Sequence, residues 1–321
     1  MEGGKVRALV TGGAGFIGSH LADLLLSEGW EVAVLDDLST GKRENVPQGA
    51  TFFQLDLVEV KKVKDVLLEF GPDIVFHQAA QASVVRSWQD PVRDAQVNLV
   101  GLLSLLSACL ASQVKGVVFA SSGGVLYGDA EVIPTPEAAP KRPLSPYGVA
   151  KLASEHYLFA FQNAHGLPYI ALRYGNVYGP RQDPLGEAGV VAIFGRAMLA
   201  GETPTIYGDG RQTRDFIYVG DVARANLLAA EKLLSGFRAS SLDEAAFNVG
   251  TGKETSVLEI FQTLKGLTGF SGEPRFEGPR PGEVRRSALD GVRAAQVLGF
   301  SPQVSLREGL SATVAWLRRM R

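Results

Sequence analysis

Eight residues near the start, Thr11-Gly12-Gly13-Ala14-Gly15-Phe16-Ile17-Gly18, stand between an apolar run (Val6 to Val10) and a segment whose leucines recur at helical spacing (Leu21, Leu24, Leu25). No other stretch of the chain constrains its fold as strongly. Strand, glycine turn and helix in immediate succession open a βαβ unit, and the glycines let the backbone turn tightly and approach a pyrophosphate. The phosphate charge then rests on free N–H groups at the helix start. Gly12, Gly15, Phe16, Ile17 and Gly18 are therefore the candidate cradle of a dinucleotide. A second apolar run, Glu31-Val32-Ala33-Val34-Leu35, ends in Asp36, about 20 residues past the glycines, where a carboxylate meets the adenosine ribose hydroxyls. Asp36 repels a 2'-phosphate, so NAD rather than NADP is the expected cofactor.

The chain has 321 residues, a length that suggests about two domains and allows a large core. A net charge of -2 with 45% hydrophobic residues speaks against nucleic-acid binding and against disorder. The first residues lead into a strand with no apolar signal region, and the longest apolar stretch, around Leu99 to Ala111, is short for a bilayer span. A cytoplasmic protein without a membrane partner is expected. The single cysteine, Cys109, lies among leucines and reads as a buried, inert thiol.

Strand-like runs recur at Val6 to Val10, Val32 to Leu35, Thr51 to Leu55, Asp73 to His77, Gly116 to Ala120 and Pro168 to Arg173, with helical patterns between them. This alternation predicts an α/β fold: a Rossmann-like, doubly wound parallel sheet with helices on both faces. The run Asn98 to Leu106 is apolar nearly all round, which a subunit contact in a homodimer or deep burial would each explain. After Tyr174, prolines and glycines (Pro180, Pro184, Gly186, Gly189, Pro204) break the rhythm, so a smaller, loop-rich α/β lobe is expected. Ala246 to Gly250 reads as a late return to the sheet. The two lobes are thus interleaved: residues 1–173 with about 215–260 in one, 174–214 with about 261–321 in the other. Ser305-Leu306-Arg307-Glu308 reads as a capping box opening a helix with Leu306, Leu310, Val314 and Leu317 on one face. The closing Arg318-Arg319-Met320-Arg321 reads as a solvated tail.

Chemistry is suggested by Ser145-Pro146-Tyr147-Gly148-Val149-Ala150-Lys151. Ser145 suits an N-cap and Pro146 the first helical position, so Tyr147 falls in the opening turn and Lys151, four residues on, shares its face. An ammonium and the positive helix end would favour phenolate, lowering the tyrosine pKa toward that of a general base. Upstream, Phe119-Ala120-Ser121-Ser122 brings hydroxyls to the C-terminal edge of the fifth strand, where ligands of such sheets bind. Ser122 is the candidate to hold the oxygen that Tyr147 deprotonates, with Ser121 in reserve.

TGGAGFIGSH, LDDLSTG, Asp56-Leu57, HQAA, SSGGVLYG, PYGVAK, LRYGNVYGPRQ, RDFIYVGDVA, FNVGTG and RPGE together resemble the extended short-chain dehydrogenase/reductase (NAD-dependent epimerase/dehydratase) family over nearly the whole length. The resemblance implies cofactor contacts at Asp36, Asp37, Leu38, Ser39, Thr40 and Gly41, and places Asp56 and Leu57 beside the adenine. It implies Ala79, Ala80 and Gln81 along the cofactor, Asn98 and Tyr174 near its nicotinamide end, and Lys151 on the nicotinamide ribose. For a nucleotide sugar it implies Asn176, Arg214 and Arg280 on the substrate, the arginines clamping the diphosphate. Glu283 would meet the ribose, Tyr207 wall the uracil, and Val190 touch the base through its backbone. The family often has serine or threonine four residues before Tyr127, where this chain has Gly123. Gly123-Gly124 also lacks the acid and base that resembling 4,6-dehydratases use at this point.

The activity implied is epimerisation of a UDP-hexose at C4 (UDP-glucose and UDP-galactose) through a transient 4-keto sugar, with Tyr147 moving the hydroxyl proton. The alternatives are epimerisation of UDP-N-acetylglucosamine, for which the small Ser287 would leave room, or of a UDP-hexuronate, and a non-catalytic NAD sensor on the same fold. His77 reads as structural, and His20, His156 and His165 show no metal-ligand spacing, so no metal is expected.

Overall fold

The structure is a computed structural model that describes residues 4–184, 189–279 and 284–320. β1 (Arg7–Thr11) leads through α1 (Phe16–Ser27) to β2 (Glu31–Asp36), β3 (Thr51–Gln54), α2 (Val60–Phe70) and β4 (Ile74–His77). Next come α3 (Val84–Gln89), α4 (Pro91–Ala95), a π-helical turn (Gln96–Val100) and α5 (Gly101–Ala111). They precede β5 (Gly116–Ser122), α6 (Gly123–Leu126), α7 (Pro146–His165) and β6 (Tyr169–Tyr174). Beyond Tyr174 the elements shorten: β7 (Asn176–Tyr178), α8 (Val190–Leu199), β8 (Thr205–Tyr207), β9 (Thr213–Arg214) and β10 (Phe216–Tyr218). α9 (Val219–Leu234), α10 (Leu242–Ala245), β11 (Ala246–Val249), β12 (Thr255–Ser256), α11 (Val257–Thr268), β13 (Arg275–Glu277), a second π turn (Ala294–Leu298) and α12 (Leu306–Arg319) follow.

Seven strands form one sheet in the order β11-β6-β5-β4-β1-β2-β3, and every pairing is parallel. This is the expected Rossmann-like α/β sheet, with the expected late strand, β11, on its edge. Side chains alternate between the faces with a period of two: Ala8 and Val10 join one core with Leu21, Leu25, Phe76, Leu172 and Phe247, while Leu9 joins the other with Leu35, Leu67, Leu105 and Phe119. With both faces covered, the inner strands are almost wholly apolar. Strand order reverses at β1, whose neighbours are β2 and β4, so a crevice opens beyond the C-terminal ends of β1 and β4.

The apolar run at Asn98 to Leu106 is explained largely by burial, since Leu102, Leu105 and Leu106 are fully covered and α5 packs on both α2 and α7. One sequence expectation changes here. Helix α4, the π turn and α5 join into a 21-residue helix, Pro91–Ala111, long and apolar enough by those criteria to cross a bilayer. Half of it is buried within the fold, as in the core helix of a globular domain.

A third core gathers Val191, Phe194, Met198, Ile206, Phe261, Leu264, Leu310 and Val314 from α8, β8, α11 and α12. The capping box of α12 forms as read: Ser305 Oγ accepts from Glu308 N–H while Glu308 accepts from Ser305 N–H at 2.9 Å. Residues Ala294, Leu298 and Phe300 pack instead on the core beneath α1 and α9.

Candidate active site

The glycine cradle sits at the crevice. Gly12 adopts φ +68°, and a Cβ there would stand 2.6 Å from Ala79 N. A Cβ on Gly18 would run into the Gly12 carbonyl oxygen, so strand turn and helix touch backbone to backbone. Gly15 caps α1 without a side-chain acceptor, and the first turn carries no acidic residue. The leading N–H groups are thus served by no side chain of the turn itself, which suits the pyrophosphate of NAD. Asp36 ends β2 with Oδ2 accepting from Ala14 N–H and Oδ1 from Leu38 N–H, each at 2.9 Å. Burial pushes its pKa up. It ties the glycine turn to the loop that follows, where Leu38 takes φ +62°, Asp37 Oδ1 accepts from Ser39 N–H at 2.9 Å, Thr40 is exposed and Gly41 abuts the Asp36 carboxylate.

Further along the crevice, Asp56 Oδ1 accepts from Val58 N–H at 3.1 Å, and Leu57 is buried against Gly101. Ala79 N–H reaches Thr11 Oγ1 at 3.4 Å, Ala80 is half-buried beside it, and Gln81 N–H donates to Asn98 Oδ1 at 3.1 Å. His77 Nδ1 lies 2.8 Å from Thr11 Oγ1 and its ring stacks on Phe119. Burial, then the Lys151 charge, hold its pKa down at about 3, so it is a neutral structural residue.

Helix α7 starts as read, with Ser145 Oγ accepting from Gly148 N–H at 3.1 Å and Pro146 in the first turn. Tyr147 and Lys151 share a face: Lys151 Nζ lies 5.8 Å from the Tyr147 ring and 4.7 Å from the Phe119 ring, and donates to Ala120 O at 2.8 Å. The electrostatics correct the sequence reading. Burial, with a contribution from the Asp94 carboxylate, pushes the phenol pKa up rather than down. Burial also lowers Lys151 to about 8. The ammonium spends its hydrogen bond on a strand carbonyl, so it does not reverse the desolvation of the phenol.

The two serines separate clearly. Ser121 Oγ donates to Glu155 Oε1 at 2.6 Å and is 3% exposed, so it belongs to the interior. Ser122 ends β5 half-buried; a Cβ on Gly124 would lie 3.9 Å from Ser122 Oγ and 3.8 Å from Asn176 Oδ1, so both polar atoms face one point. At Gly123 a Cβ would stand 2.6 Å from a Leu289 methyl, so any side chain there would require Leu289 to shift.

Tyr174 is placed differently from a simple cofactor contact. Its hydroxyl is held by Asn226, whose Nδ2 donates at 2.8 Å, and by Gln78, whose Nε2 donates at 3.2 Å; burial lifts its pKa to about 12. Among the elements beyond Tyr174, Val190 opens α8, Tyr207 ends β8 with its carbonyl accepting from Gln212 Nε2, and Arg214 ends β9 with Nη1 donating to Thr213 O at 2.8 Å. Arg280 and Glu283 lie outside the described residues.

Several residues that shape the site escaped the sequence reading. Asp94 is buried and accepts from Gln81 Nε2 and Asn98 Nδ2. Asp215, beside Arg214, accepts from Thr251, Gly252 and Leu289 N–H groups, while its carbonyl takes Asn176 N–H at 2.7 Å. Gln78 and Asn226 clamp Tyr174. A signal existed for Asp215, a carboxylate leading into the apolar run Phe216-Ile217, which calls for donors; Asp94 lies in a polar stretch and gave none.

Against known proteins, the NAD-dependent epimerase/dehydratase family matches residues 8–250. A UDP-glucose 4-epimerase of Mycolicibacterium smegmatis is 47% identical, covering 98% of this chain and 99% of its own. The crystal structure of a Thermotoga maritima UDP-glucose 4-epimerase with UDP-glucose has 47% identity and a TM-score of 0.93 over 98% of this chain and 99% of that one. A UDP-glucose 4-epimerase of Thermus thermophilus in complex with NAD has 47% identity and a TM-score of 0.89 over the same shares. With this fold, a cradle that suits a dinucleotide, and likeness along almost its full length, the chain belongs to the NAD-dependent epimerase/dehydratase family.

Proposed function

We propose that the chain is an NAD-dependent 4-epimerase of a UDP-hexose, interconverting UDP-glucose and UDP-galactose through a transient 4-keto sugar. The observation that supports this reading is the place of Lys151 between the two elements: its Nζ bonds Ala120 O, two residues before Ser122 at the end of β5, and lies 5.8 Å from the Tyr147 ring at the start of α7. In this reading Gly12, Gly15, Phe16, Ile17 and Gly18 hold the pyrophosphate and Asp36 to Gly41 with Asp56 and Leu57 hold the adenosine. Ala79, Ala80, Gln81, Asn98 and Tyr174 line the rest. Bound NAD supplies a two-electron acceptor that turns the C4 alcohol into a ketone and returns the electrons afterwards.

The residues do the remaining work. Tyr147 takes the proton of the C4 hydroxyl and gives it back after the sugar has presented its other face, while Ser122 holds the same oxygen and Lys151 would hold the nicotinamide ribose. Inversion requires a sugar held loosely on a nucleotide held firmly. Arg214 and Arg280 on the diphosphate, with Asn176, Val190, Tyr207 and Glu283 around the nucleotide, supply that firm hold. Residues 1–173 with about 215–260 would carry the cofactor and the remainder the nucleotide sugar, with residues 294–300 packing on the cofactor side. The test is to incubate purified protein and NAD with UDP-galactose, UDP-N-acetylglucosamine and a UDP-hexuronate and to resolve the 4-isomers. Inversion of UDP-galactose supports the reading, and inversion of the uronate alone would replace it.

A homodimer is supported by an exposed apolar face on helices that pack together: Val85, Trp88, Val92, Val100, Val149 and Tyr157, each 41–66% exposed. A second copy placed there would cover a patch that monomers rarely leave in water. Sedimentation of the protein and of a Trp88→Glu variant checks this; a wild type that sediments as a monomer contradicts it. The single cysteine, Cys109, buried and outside any disulfide, accords with a cytoplasmic location.

A further inference from the structure

A single residue, Asp215, separates two strands that belong to different sheets. β9 ends at Arg214, whose partner is Thr255 on β12, and β10 starts at Phe216, whose partner is Asn176 on β7. Asp215 is fully buried between them. Its Oδ1 accepts from Thr251 N–H at 2.7 Å and from Thr251 Oγ1 at 2.6 Å, and its Oδ2 accepts from the N–H groups of Gly252 and Leu289, each at 3.0 Å. Its own carbonyl accepts Asn176 N–H at 2.7 Å.

The backbone around this residue is shaped to admit it. A Cβ on Gly175 would stand 2.7 Å from Asp215 O, and one on Gly250 would run into Asp215 Oδ2. Gly175 follows β6 and Gly250 follows β11, so Asp215 is seated at the C-terminal end of the central sheet, the end at which the crevice opens. Leu289, the third backbone donor, packs its methyls on Gly123, next to Ser122. The two residues whose backbone Asp215 adjoins or bonds directly, Arg214 and Asn176, are those that the proposed reaction sets on the substrate. We propose that Asp215 is a positioning residue for the nucleotide sugar: anchored to the turn after β11, it fixes the backbone from which Arg214 reaches the diphosphate. The inference rests on the UDP-hexose reading of the site.

The strands themselves are too short to hold Arg214 in place. β9 has two residues and β10 three, so their ladders supply few bonds, and the carboxylate between them adds four more to segments far along the chain. An apolar side chain could fill the same space, but it would leave the Thr251, Gly252 and Leu289 N–H groups without this acceptor. Asparagine is no substitute either. It has one acceptor oxygen for donors that now divide between two, and its Nδ2 would face N–H groups. With the anchor broken, the Arg214 segment is free to shift, and a misplacement of about 1 Å in a positioning group costs up to about 100-fold.

The test is a double-mutant cycle on the NAD-loaded protein: calorimetric affinity for UDP in wild type, Asp215→Asn, Arg214→Met and the double variant, with kcat and KM for UDP-galactose alongside. Asp215→Asn should weaken UDP binding about 10-fold and raise KM by a similar factor, while kcat stays within about 2-fold of wild type. Because the effect passes through Arg214, the same substitution in Arg214→Met should weaken UDP binding by less than about 2-fold. A residue that only stabilises the fold would lower the melting temperature and leave the UDP affinity of the folded protein unmoved. That result, or full additivity in the double variant, overturns the inference. Should Asp215→Asn not fold, Thr251→Val replaces it, since it removes the Oγ1 donor and keeps the N–H. A loss of about 3-fold that disappears in Arg214→Met is then expected, and an unchanged affinity overturns the inference. A wild type that binds UDP but inverts no UDP-sugar removes the epimerase reading alone, and the cycle still decides the role of Asp215; a wild type that binds no UDP removes both.

Discussion

Two buried charge clusters lie one turn apart on helix α7, and they are built in opposite ways. At Glu155 the carboxylate takes Arg173 Nε at 3.0 Å and Nη2 at 2.7 Å, with both side chains fully buried, and Ser121 Oγ adds a third bond. Arg173 Nη1 continues to Tyr127 OH and Glu137 O, and Tyr127 OH donates to Asn248 Oδ1. This network stitches α7 to β5, β6 and β11, and burial of the arginine is more than offset by its partner, so its pKa is raised. At Lys151 the ammonium meets a single carbonyl and two ring faces, and burial brings its pKa to about 8. Burial is common to both; pairing is not. A fully paired buried ion is locked in one protonation state, whereas a buried ion with partial pairing titrates near neutrality, where proton transfer is useful.

The largest effect expected from this contrast is catalytic. Tyr147→Phe should lower kcat with UDP-galactose by about 10,000-fold while leaving the denaturation midpoint near wild type; a variant that keeps its rate would dissolve the distinction. At the other cluster, Glu155→Gln takes the two-point carboxylate from buried Arg173, leaving it only the half-exposed Asp243 at 3.3 Å, and should cost about 3–5 kcal/mol in a denaturant titration. A loss smaller than about 1 kcal/mol would mean that the network is dispensable.

The two serines sharpen the comparison, because they are sequence neighbours assigned to different clusters. Ser122→Ala should reduce kcat about 10- to 100-fold without changing stability. Ser121→Ala should cost about 1–2 kcal/mol of stability and keep most of the rate. The reversed pattern would exchange their roles.

Lys151→Met gives the most diagnostic sign. The folded-state pKa of Lys151 is depressed, so below about 8 the folded chain carries an ammonium that burial disfavours, while the unfolded chain keeps its proton up to the ordinary value of 10.5. Removing the charge should therefore raise the melting temperature at neutral pH even as activity is lost. Between pH 8 and 10.5 the folded wild type sheds this proton and the unfolded chain does not, so wild-type stability gains and the gap between the two proteins should close. Calorimetry across that range checks it; a gap that widens contradicts the sign.

What the sequence disclosed was local. The glycine turn, the alternation that became seven parallel strands, the Ser145-Pro146 helix start and the Ser305 capping box each depend on neighbours within a few residues, so spacing alone reveals them. What it withheld was pairing at a distance. Tyr127 meets Asn248 121 residues away, Gln78 meets Asn226 148 residues away, and no spacing rule connects them. Arg173 did carry a hint: a charge closing the apolar run Tyr169-Ile170-Ala171-Leu172 in a doubly covered sheet must have a buried partner. The phenol shift was misjudged for a related reason. Four residues of spacing placed Lys151 on the same face as Tyr147, but only the folded chain shows that Ala120 O takes its hydrogen bond and that Asp94 opposes it. Likewise only the folded chain shows that Gly123 packs against the methyls of Leu289, far along the chain.

The central claim is that the partly paired cluster moves a proton at C4 of a sugar that is oxidised and reduced in place. The direct measurement is the fate of deuterium placed at C4 of UDP-galactose and turned over by the wild-type holoenzyme. Retention of the label at C4 of UDP-glucose is the predicted result. Inversion with loss of the label to water, or no inversion at all, would contradict it.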